Sequence, residues 1–137
     1  MISNSFKIQE LVPKHIYEER GDRSWELIDD RLIEAIDTLK AIFSKGTITI
    51  NNWLWNGDRN CSGLRTPKSK YYSETSQHTF GRAADMIFSA YDEADVRNYI
   101  IQHPDEFPYV NGIEDFKGMS WVHVDVRNSS SVKIFKG

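Results

Sequence analysis

The stretch Ser76-Gln77-His78-Thr79-Phe80-Gly81-Arg82-Ala83-Ala84-Asp85-Met86-Ile87-Phe88 sets a polar turn against an apolar run that contains one carboxylate. Arg82 to Phe88 reads as a β-strand. Asp85 then falls among Ala83, Ala84, Met86, Ile87 and Phe88, where an unpaired carboxylate is heavily penalised, so a cation or a set of donors is expected beside it. A later run, Trp121-Val122-His123-Val124-Asp125-Val126-Arg127, alternates with period two. Val122, Val124 and Val126 share one face of that strand, while Trp121, His123, Asp125 and Arg127 share the other.

Working outward, the apolar residues Ile28, Leu32, Ala35, Ile36, Leu39, Ile42 and Phe43 recur at steps of three and four, which predicts a helix over Arg23 to Ser44. Ser24 or Asp22 is the expected cap at its start and Gly46 follows its last turn. Thr47 to Trp53 is β-branched and alternating, a strand with Ile48 and Ile50 inward. Trp55 to Gln77 has no period and is rich in polar and aromatic residues. A loop of this length in a small domain is uncommon and usually functional, so it is expected to wall a cleft. Asp92 to Gln102 reads as a short helix capped by Ser89 and stopped at His103-Pro104, with Val96, Tyr99 and Ile100 buried. Val132 to Phe135 closes as an edge strand. The fold class expected is α+β, a small antiparallel sheet with helices packed on one side and the polar residues of Asp85 and His123 on its face, in a single domain over residues 1–137.

The 137 residues carry a net charge of -3, which does not suit a nucleic-acid partner; stacking by Trp53, Trp55, Tyr71 and Tyr72 would need a basic groove. Locally, Arg59, Arg65, Lys68, Lys70 and Arg82 outnumber Asp58 and Glu74 between Asp58 and Arg82, a stretch suited to a ligand with a carboxylate. The single Cys61 excludes an intrachain disulfide and has no motif of a nucleophile around it. No membrane span or secretory signal is legible, so the chain is expected to stay in the cytosol as made, as a monomer.

Two imidazoles, His78 and His123, with the carboxylate of Asp85 form a three-ligand set. In zinc sites such a set leaves a fourth position for water and marks catalysis rather than structure. Zinc there would lower the pKa of water towards ~7 and polarise a carbonyl, the chemistry of amide hydrolysis. Gly81, between one ligand and the strand carrying the other, allows the turn that brings them together.

The pattern Ser76-x-His78-x-x-Gly81-x-Ala83-x-Asp85, followed by Trp121-Val122-His123-x-Asp125, resembles the M15 family of metallopeptidases, which includes D-Ala-D-Ala carboxypeptidases and other cell-wall peptidases. The likeness extends upstream through Ile48 to Trp53 and Ser62-Gly63-Leu64-Arg65, and covers roughly residues 45 to 127. It resembles the branch ending in His-x-Asp. The resemblance implies one zinc ion held by His78, Asp85 and His123, with Arg65 facing the substrate to steady its carbonyl or carboxylate. It further implies a peptidoglycan stem peptide as substrate, in a bacterial or phage setting where a chain without a signal is released at lysis. Asp125 and Ser76 are expected beside the ligands.

Many members of the family carry an acid three positions before the second ligand histidine, where this chain has Ser120. A serine cannot take a carboxylate's part in proton transfer at neutral pH. Glu114, in the turn-rich Asn111 to Phe116, is the candidate general base, with Asp125 behind it. His15 and His103 have no such context. The alternative to a peptidase is a non-catalytic zinc-containing module that binds a ligand or serves a phage structure.

Overall fold

The structure is a computed structural model that describes residues 1–137. Three α-helices, α1 (Lys14–Arg20), α2 (Asp30–Ile42) and α3 (Glu93–Gln102), accompany five strands, β1 (Ile48–Thr49), β2 (Ala83–Phe88), β3 (Gly112–Glu114), β4 (Val122–Asp125) and β5 (Lys133–Phe135). The strands form one sheet in the order β1-β2-β4-β3-β5.

The apolar stripe of α2 is where the periodicity places it. Leu32, Ile33, Ile36 and Leu39 are fully buried against the sheet's apolar face, where Val122, Val124 and Val126 are buried too. The helix begins later than predicted. Gly21–Leu27 winds as 3₁₀ turns, and the cap is Asp29, whose side chain accepts from the Arg31 N–H at 2.9 Å, in place of Ser24 or Asp22. Arg31 and Arg82 both reach Asp29, and this ion cluster fixes the start. For α3 the cap is Asp92, accepting from Ala94 N–H at 2.8 Å, and not Ser89, whose hydroxyl instead accepts from the Thr47 N–H at 2.7 Å and joins β1 to β2. Val96 and Ile100 are buried, and Tyr99 packs edge-on against Phe43.

Three strand expectations need correction. The sheet is mixed, because β5 runs parallel to β3 while every other pairing is antiparallel. Asn111 to Phe116, expected as a turn, contains β3: Gly112, Ile113 and Glu114 pair with Asp125, Val124 and His123. Three residues carry too short a pattern to announce a strand, and the partner β4 supplies what the local sequence lacks. The predicted strand at Thr47 to Trp53 keeps only Ile48–Thr49 in the ladder, although Ile48 and Ile50 are both buried as expected. Beyond Ile50 the chain turns off the sheet because the Asn51 side chain bonds to Val12 O and Ser62 N. No helix is long and apolar enough to cross a membrane.

Candidate metal centre

Sheet register builds the site. Asp85 on β2 lies opposite His123 on β4, and His123 lies opposite Glu114 on β3. One row across three strands therefore presents a carboxylate, an imidazole and a second carboxylate on the face opposite the core. His78 joins them from outside the sheet. It lies in the 3₁₀ turn Gln77–Phe80, which Ser76 caps by accepting from the His78 N–H at 3.2 Å, and which ends at Gly81 in the left-handed region at φ 66°. A Cβ on Gly81 would also overlap the Leu27 carbonyl, so glycine is required there on two counts.

The ligand atoms of His78, Asp85 and His123 lie within 4.8 Å of one another, and all three residues are buried. His78 Nδ1 is 2.8 Å from the Gly63 carbonyl, which can only accept, so Nδ1 carries a proton, and Nε2 faces Asp85 Oδ1 at 3.4 Å. A cation between these two atoms would take the place of a proton there and be held by both. An edge of a zinc tetrahedron with bonds of ~2.0–2.1 Å is about 3.4 Å. His123 Nδ1 is 2.8 Å from the same Asp85 oxygen, and its Nε2 is 2.8 Å from Asp125 Oδ2. Nδ1 is thus the ligand atom and Nε2–H the donor to a carboxylate behind it, the arrangement that orients histidines on metals.

Charge accounts for the cluster in the same way. Asp85, Asp125 and Glu114 face Arg65 and Arg127, so with neutral imidazoles the site is left with one uncompensated negative charge. Without a metal, His123 supplies the missing charge by holding a proton. Burial alone would push its pKa down, but the hydrogen bonds to Asp125 and Asp85 outweigh burial and push it up to about 9. Burial drives Asp85 upward, and the hydrogen bonds from His123 and His78 reverse this and hold it well below the usual carboxylate range. Asp125, also raised by burial, is brought down to about 2 by Arg127 and then His123. The residues present fit a divalent cation.

A clamp backs the centre. Arg127 grips fully buried Asp125 with two bonds of 2.7 and 2.6 Å and stacks its guanidinium over Phe135 at 4.5 Å. Gly112 leaves the room for this carboxylate, since a Cβ there would overlap both oxygens of Asp125.

A cavity of about 300 Å³ opens on the cluster, lined by Arg65, Ser76, His78, Asp85, Glu114, Trp121, His123 and Arg127 among others. Arg65 donates from Nε to Cys61 O at 2.8 Å and from Nη2 to Asp85 at 3.0 Å, which leaves Nη1 for a ligand. Glu114 Oε1 is 3.6 Å from His123 Nδ1, brought there by the strand that the local sequence does not announce. Ser120 is exposed and lines no part of the cavity. His15 bonds to Thr66, and His103 stacks on Tyr99, both away from the cluster. Cys61 is a half-buried free thiol. Asp58 and Arg59, which no motif singles out, line a neighbouring cavity. No family model, no curated protein and no solved structure matches this chain.

Proposed function

We propose that the protein is a zinc-dependent peptidase that hydrolyses peptidoglycan stem peptides, in the manner of the M15 family that its motif resembles. The observation that carries this reading is the three-strand row Asp85, His123 and Glu114 with His78 beside it, a ligand set and an additional acid on one cavity wall. When bound, zinc supplies Lewis acidity towards a carbonyl and a lowered pKa for water. His78, through Nε2, Asp85 and His123, through Nδ1, would hold it. Glu114 is the general base: its carboxylate takes a proton from the attacking water and returns one to the leaving amine. Arg65 directs its unused Nη1 to the oxygen on which charge grows, or to a substrate carboxylate. Asp125 and Arg127 keep the His123 ring in one orientation.

The test is a zinc-loaded preparation offered muropeptides, with products read by mass. Wild-type protein should cleave them, and Glu114→Gln should lose at least ~100-fold in kcat while keeping about one zinc per chain. A metallated, folded wild type inert on every muropeptide favours the second reading, a non-catalytic zinc module. The exposed position of Ser120, where the family's usual acid is missing, is what supports that alternative.

A further inference from the structure

Of the buried ionisable side chains, His78, Asp85, His123 and Asp125 belong to the metal centre, and Arg97 on α3 is the one that does not. A buried guanidinium loses hydration that packing beside Val96 and Ile100 does not restore, and a methionine would fill the same space without that loss. What the guanidinium bonds to has to account for it.

Those bonds lie across the open end of a hairpin. Glu114 and His123 form the last pair of the β3–β4 ladder, at the end away from Gly112 and Asp125. Ladders open first at their ends. Past this pair the two strands part into the loop from Asp115 to Trp121, whose own bonds, Phe116 N–H to Met119 Sδ and Met119 N–H to Phe116 O, both 3.2 Å, stay inside it. Arg97 spans the gap from the helix layer. Its Nη1 donates to the Trp121 carbonyl at 3.1 Å, and its Nε lies 3.3 Å from Asp115 Oδ1. One guanidinium thus joins the residue after Glu114 to the residue two before His123, where the ladder itself has stopped. Asp115 is also tied to β5, accepting from Lys136 Nζ at 2.9 Å and donating its N–H to Phe135 O at 2.7 Å.

We propose that Arg97 is a positioning residue for Glu114: it holds the last pair of the hairpin closed and so keeps the Glu114 carboxylate at its 3.6 Å from His123 Nδ1. Arg97 is no metal ligand and lines no part of the metal cavity. Its loss would free β3 and not β4, because β4 is held from its other side by β2, through Met86 opposite Val122 and Asp85 opposite His123. The ligands would stay and the acid would drift. The consequence for catalysis rests on the peptidase reading; the closed hairpin does not.

Arg97→Met tests this in zinc-loaded protein on muropeptides. A carboxylate displaced by about 1 Å should lower kcat by ~10–100-fold, with KM and zinc affinity within about threefold of wild type. In a Glu114→Gln background the same change should have no further effect, since a residue that acts through Glu114 has nothing left to place. A loss of kcat of the same size in both backgrounds marks a general loosening and overturns the proposal. Arg97→Lys keeps the charge without the planar fork and should lose less. Should Arg97→Met fail to fold, Asp115→Asn, at a half-buried position, keeps the chain folded and should repeat the loss in smaller measure. Amide hydrogen exchange on metal-free protein supplies a second measurement. In Arg97→Met the Asp115 amide should exchange about 10-fold faster. The Asp85 amide, bonded to Ser62 O at 2.8 Å, should be unchanged. Unaltered exchange at Asp115 overturns the proposal whatever the activity. A wild type that cleaves nothing, with faster exchange at Asp115 in the variant, refutes the peptidase reading and leaves Arg97 as the residue that closes the hairpin.

Discussion

At the scale of single residues, the centre depends on groups that never touch a metal. His123 can serve only while its ring is held, and the holding passes from Phe135 to Arg127 to Asp125 to His123 Nε2. Arg127→Gln should therefore weaken zinc by ~10–100-fold, measured by competition with a chromophoric chelator, while the three ligands stay in place. An unchanged affinity in a folded variant would show that the clamp is ornamental. The ligands themselves were legible in the sequence because a carboxylate amid alanines and a histidine amid valines are hard to account for by packing. The clamp was only half legible. Asp125 and Arg127 share a strand face in the sequence, but nothing in the pattern says that Asp125 holds the His123 ring and is gripped by Arg127 at once.

At the scale of elements, β3 decides what the site can do, because it carries Glu114 to His123 and gives Asp125 its space through Gly112. Gly112→Ala should cost roughly 1–3 kcal/mol of stability through overpacking against Asp125, read as a shift in the denaturant midpoint, and should weaken zinc as well. A variant as stable as the parent, with zinc unaffected, would refute that account. The helix α2 and the strands β2 and β4 could be read from periodicity, since their burial follows a regular stripe or alternation. β3 could not. Its three residues have no pattern of their own and become a strand through pairing on both sides, with β4 and with β5. The start of α2 was misplaced for a related reason: Asp22, Ser24 and Asp29 are all good caps, and the ion cluster that selects Asp29 involves Arg82 from a distant segment.

At the scale of the whole molecule, a metal held by His123 would displace the proton it carries in the metal-free protein, and pH should reveal it. His123 has a folded pKa raised to about 9, so its contribution to the metal-free protein is complete below its unfolded value of ~6.5 and is lost as pH rises through about 9. Asp85 and Asp125 have lowered values, so theirs is present above ~3.8 and is lost as pH falls through the lowered value of each, about 2 for Asp125. Metal-free protein should be most stable between about pH 4 and 6.5, with the melting temperature falling on either side. Zinc should flatten the alkaline side, and its apparent affinity should rise about tenfold per pH unit towards pH 9 as one proton leaves His123. A metal-free melting curve that is level from pH 6.5 to 9.5 would contradict this. The order of strands in the sheet also says something about time. Asp85 waits for a histidine 38 residues further along the chain, and the strand that lines up both with Glu114 is inserted between β4 and β5, so no local fragment contains a finished centre. During synthesis the chain passes most of its length with Asp85 and His123 apart, so an ion held by this cluster would find its ligands together only once β2 and β4 have paired.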